Sequence, residues 1–97
     1  MNDKLKTSSV DLFANALLNL KDKNECLEFL EDICTINEIL SFSQRFEVAK
    51  MLKDKKTYTE IAKATGASTA TISRVNRSLI YGNGSYNKLF DRIDNLS

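Results

Sequence analysis

Tyr58-Thr-Glu-Ile-Ala-Lys-Ala-Thr-Gly-Ala-Ser-Thr-Ala-Thr-Ile-Ser-Arg-Val-Asn-Arg-Ser-Leu79 is the stretch whose punctuation decides the fold. Thr57 with Glu60 three residues later forms a capping box, which opens a short helix from Tyr58 to Thr65. Ile61, Ala62 and Thr65 fall on its inward face. Gly66 ends it, because glycine enters the left-handed conformation of a tight turn without a Cβ penalty. Ser68 caps the next helix, Thr69 to about Tyr81, with Ile72, Val75 and Leu79 inward. Ala62 is small where the two helices cross, and Ile61, Ile72 and Val75 clamp the pair. The spacing predicts a helix-turn-helix over residues 58–79.

That clamp leaves Thr69, Ala70, Ser73 and Arg77 on the outer side of the second helix. These are short polar or methyl-bearing side chains and one guanidinium, suited to base edges in a major groove. Tyr58, Thr59 and Lys63, with Lys53, Lys55 and Lys56 just before them, are candidates for phosphate contacts. A plain helical hairpin with a glycine turn has the same outline, and lysine runs are often only solvated surface. The charge distribution separates the two. Residues 1–43 carry eight acids against four lysines, a net of −4, while residues 44–79 carry eight bases against three acids, a net of +5. A polyanion such as double-stranded DNA would meet the basic half.

The 97 residues suffice for one helical domain over 1–97, and so short a chain gains from a partner subunit. There is no proline and there are only three glycines, so helices are the natural reading throughout. Ser9 is placed to cap a first helix, Val10 to about Leu20. Asp22 with Glu25 opens a second, Lys23 to about Ile33. Thr35 with Glu38 opens a third, reaching about Asp54. The third carries two apolar stripes, Ile36, Ile39, Phe42, Phe46, Ala49, Leu52 and then Leu40, Val48, Met51, as a helix buried on more than one side does. A break near Ser41 is the alternative, since Ser41 and Gln44 repeat the capping pattern. Gly82-Asn83-Gly84 is a turn, and Ser85 is placed to cap a last helix, Tyr86 to about Ile93. About six helices and no strand make the fold all-α.

Catalysis finds no footing here. The chain has no histidine, no glycine-rich phosphate loop and no metal-ligand spacing, so no enzyme, metal or built-in cofactor is expected. Cys26 and Cys34 are read as reduced thiols. Met1 to Ser9 is polar and no segment is apolar enough to span a bilayer, so the expected location is cytoplasmic.

Gly66-Ala-Ser-Thr-Ala-Thr-Ile-Ser-Arg74, followed by Ser78-Leu79, resembles the reading head of the tryptophan repressor family. Thr35, Arg45 ten residues later, and the run Arg45-Phe-Glu-Val-Ala-Lys-Met-Leu52 are similar to that family's central helix, in its repressor-related branch. The likeness covers roughly residues 20–95 and is sharpest over 57–79. It implies an intertwined homodimer, with residues 9–54 and 85–94 as dimerisation helices, whose two heads enter successive major grooves of a palindromic operator, and hence a transcriptional regulator, a repressor. It also implies a pocket for a small corepressor, on positions matching Thr35, Arg45, Arg74 and Ser78. Val75 departs from the pattern: the repressor has a glycine there, beside the indole of bound tryptophan. The valine argues against tryptophan and leaves another small ligand, or none, as the expectation. The competing reading is a protein-interaction module of helix-turn-helix ancestry without DNA readout, although its outer helix would have no reason to stay basic and polar.

Overall fold

The computed structural model describes residues 2–96. Six α-helices follow a 3-10 turn at Asp3–Leu5: α1 Ser8–Leu18, α2 Lys23–Ile33, α3 Ile36–Lys53, α4 Tyr58–Thr65, α5 Thr69–Tyr81 and α6 Ser85–Asp94. No strand occurs among the described residues, and the expected all-α class holds. Two compact units are distinguished, one ending at Ile39 and the other beginning at Leu40. Their boundary falls inside α3, which is one uninterrupted helix, so the alternative break near Ser41 is absent.

In the first unit α1 begins at Ser8, two residues earlier than a cap at Ser9 would have placed it. Thr7 is the cap, and its hydroxyl accepts the Val10 N–H at 3.2 Å. The helix also stops at Leu18 instead of Leu20. The Asn19 side chain donates to the Asn15 carbonyl at 2.7 Å, a local bond of the kind that competes with continued helix. Asp22 caps α2 by accepting the Glu25 N–H at 2.8 Å, but the Glu25 carboxylate reaches back to the Lys21 N–H and not to Asp22. Thr35 and Glu38 close their capping box reciprocally, at 2.8 and 3.1 Å. The Thr35 backbone N–H, and then its side chain, hold the Glu38 carboxyl below the usual carboxylate range. Phe13 and Phe29 pack α1 on α2 with ring centroids 6.1 Å apart. No described residue up to Ile39 is buried, and Leu12, Leu18, Leu27, Ile33 and Ile36 are exposed.

The second unit has a true core. Val48 and Ala49 of α3, Ile61 of α4, Ala67 of the turn, Ile72 and Val75 of α5 and Phe90 of α6 are all buried. Phe46, Met51, Leu52, Ala62 and Tyr86 pack partly buried against them. The Phe46 ring lies 4.8 Å from Phe90 and 5.9 Å from Tyr86, which fixes α6 on α3. Lys53 joins the same two helices: its ammonium sits 3.4 Å from an Asp91 carboxylate oxygen and 5.4 Å over the Phe90 ring. In the second stripe of α3, Val48 is fully buried and Met51 half-buried within this unit while Leu40 stays exposed, as do Ile36 and Phe42 of the first stripe, all toward the helix start. Gly84, at φ 79°, precedes α6 with no side-chain cap, so Ser85 is the first helical residue and not the cap.

The end of α3 shows a feature with a measurable cost. Lys56 N–H donates to the Met51 carbonyl and Lys55 N–H to that of Leu52, the paired bonds of a Schellman ending. Lys55, at φ 66°, occupies the left-handed position that glycine usually fills. Lys55→Gly is expected to raise stability by about 1 kcal/mol in denaturant unfolding at fixed protein concentration. A decrease would show that the turn is held differently.

Candidate nucleic-acid interface

The start of each helix of the α4–α5 pair is fixed by a side-chain bond. Thr57 and Glu60 form the full capping box of α4, at 2.9 and 3.1 Å. Gly66 closes α4 at φ 74°, with its N–H on the Ala62 carbonyl at 2.9 Å. The Thr65 hydroxyl then donates to the Ile61 carbonyl and accepts the Ala67 N–H, while Gln44 of α3 donates to the Thr65 carbonyl at 3.0 Å. The turn is thus stitched to its own helix and to α3. Ser68 starts α5 by accepting the Thr71 N–H at 3.1 Å.

With Ile72 and Val75 turned into the core, Thr69, Ala70, Ser73 and Arg77 are all exposed on the opposite side of α5, as the spacing predicts. Ala70, Ser73, Arg74 and Arg77 line a shallow groove of about 220 Å3. α5 contains no acid, and neither Arg74 nor Arg77 has an ion pair among the described residues. Tyr58, Thr59 and Lys63 are exposed on α4, as are Lys55 and Lys56 before it. Lys53 stands apart from this set, since its charge is engaged by Asp91 and Phe90.

A second groove, about 310 Å3, is lined by Ser41, Gln44 and Arg45 of α3 and Thr71 and Arg74 of α5. It brings together two of the residues expected in a ligand pocket, Arg45 and Arg74. The Arg45 guanidinium rests 4.9 Å over the Phe42 ring. Neither Val75 nor Ser78, also expected there, lines this groove. Val75 lies in the core, Ser78 is exposed with its carbonyl accepting the Gly82 N–H, and the Thr35 hydroxyl is used by the cap of α3 in the first unit. Ser41, Gln44 and Thr71 are not among the site residues that the sequence predicts. Ser41, Gln44 and Arg45 stand at i, i+3 and i+4, the spacing of one helical face, which was the available signal. No group of three metal-ligating side chains occurs among the described residues, and no helix there is long and apolar enough to cross a membrane.

The arrangement defines a helix-turn-helix protein with an exposed, acid-free second helix. The chain belongs to the Trp repressor family: the family model described as "Trp repressor protein" matches residues 8–94. YerC of Bacillus subtilis, itself uncharacterised, is 54% identical over 91 residues, covering 94% of this chain and 88% of that protein. A TrpR-like protein from Eubacterium eligens has a crystal structure that superposes with a TM-score of 0.94 at 62% identity, over 96% of both chains. A candidate Trp repressor from Staphylococcus aureus gives a TM-score of 0.91 at 49% identity, over 95% of this chain and 92% of that one.

Proposed function

We propose that this protein is a sequence-specific, DNA-binding transcriptional regulator that acts as a homodimer on a palindromic operator and represses by occupying it. The observation that carries this reading is the outer face of α5, where Thr69, Ala70, Ser73 and Arg77 stand exposed on a helix without acids. They read bases, and Lys55, Lys56, Lys63, Tyr58 and Thr59 hold phosphates on either side. Dimerisation supplies the cover that the apolar residues of the first unit lack, and it places two heads on one duplex. The groove between α3 and α5 is proposed to take a small anionic corepressor, with Arg45 and Arg74 on its carboxylate. Every residue lining it is polar, which favours a compact polar acid over an indole.

Binding of the full chain to a pool of operator-like duplexes across a salt series tests the proposal. The three lysines of each head make six in a dimer, so log affinity is expected to fall with log salt at a slope of about −5. Lys56→Ala should flatten that slope by about two, one phosphate per head. Affinity that ignores salt, or a chain inert to DNA at low salt while holding a protein partner, would point to the interaction-module alternative.

A further inference from the structure

We propose that Arg77 reads a guanine, once in each half-site. The inference rests on the DNA-reading assignment of α5 and adds the base that one of its residues selects. Arg77 is exposed, has no ion-pair partner among the described residues, and forms one wall of the groove shared with Ala70, Ser73 and Arg74. Two of the other lining side chains, those of Ala70 and Ser73, are a methyl group and a hydroxymethyl group. Side chains that short let the helix approach the floor of a major groove while the long guanidinium reaches ahead of them.

Arg74 is the rival for this role. It also lines the second groove, beside Arg45, whereas Arg77 lines the first groove and not the second. A guanidinium offers parallel N–H donors in a rigid fork. The only base edge in the major groove with two adjacent acceptors is that of guanine, at O6 and N7. A lysine at this site would keep the charge but lose the fork.

The test selects bound fragments from a random duplex pool with the full-length chain, Arg77→Ala and Arg77→Lys, each first checked for unchanged helicity and melting. The wild type is expected to select a motif with a guanine at one position of each half-site. Arg77→Ala should lose the preference at that position and keep the rest of the motif and its spacing, and Arg77→Lys should lose most of it. Replacing that guanine by 7-deazaguanine in the selected site should weaken the wild type by about ten-fold and leave Arg77→Ala unchanged. Uniform weakening of every sequence by Arg77→Ala, with the guanine still preferred, makes Arg77 a phosphate contact and overturns the proposal. A wild type that selects no motif at all overturns the DNA-reading assignment, and this inference with it.

Discussion

Replacing Leu17 and Leu18 of α1 by glutamate is expected to yield a monomer that binds operator DNA about 10²- to 10⁴-fold more weakly than the wild type. The reason lies in the first unit. It spans fewer than forty residues, and chains of that size usually need a disulfide, a metal or a partner to hold a fold. Its cysteines are free and no metal-ligating group occurs among the described residues. It nonetheless leaves Leu12, Leu18 and Ile36 at 72%, 82% and 74% exposure, and none of its described residues is buried. Apolar area of that kind gains roughly 25 cal/mol per Å2 when covered. Two glutamates set in the covered face would each carry a charge out of water without a counter-ion. The DNA effect follows from linkage: two heads held at fixed spacing convert the second binding event into an intramolecular one. Sedimentation gives the mass and titration gives the affinity. Should the double variant lose its helices altogether, the wild type alone still decides the matter. A dimer melts at a temperature that rises with protein concentration, and a monomer does not. A wild-type monomer with concentration-independent melting would sink the dimer.

The helix-turn-helix was legible because its ends are written in side chains with single structural meanings. Thr57 and Glu60, Gly66 and Ser68 each make the bond that their spacing implies. Where several residues of one type compete, the sequence is less decisive. Thr7, Ser8 and Ser9 are all acceptable caps, and the structure selects the first. Ala67 is buried although it lies between helices, where no periodicity exists to mark an inward position. Lys55 occupies a left-handed position that only a glycine would have advertised. The two stripes make α3 apolar over more than one side, yet pattern alone does not say what covers each. Val48 is covered within its own unit and Leu40 is not. The second groove was half legible: the arginines could be named through a family likeness, but Gln44 and Thr71 stand on different helices, and only the packing of α3 with α5 joins them.

Ile72→Ala is expected to cost about 2–4 kcal/mol of stability, most of it from the cavity that close-packed neighbours leave unfilled. Ile72 is fully buried and shares its cluster with Val48, Ile61 and Val75, so the lost carbons have no solvent to expose and little room to collapse into. For a domain of this size the loss corresponds to a fall in melting temperature of roughly 10–30 °C. Ser73→Ala, one residue along and exposed, should stay within about 0.5 kcal/mol and serves as the control at equal protein concentration. The two neighbours should also separate in what they do to DNA. Ile72 touches no base in the proposed complex; it sets the pose of the whole helix against α3 and α4. Its truncation should therefore weaken all sequences together, and hardest where binding is tightest. Changes at Ser73 or Arg77 should each erase preference at a single position. If Ile72→Ala melts like Ser73→Ala, the clamp beneath the reading face is not what holds α5 in place.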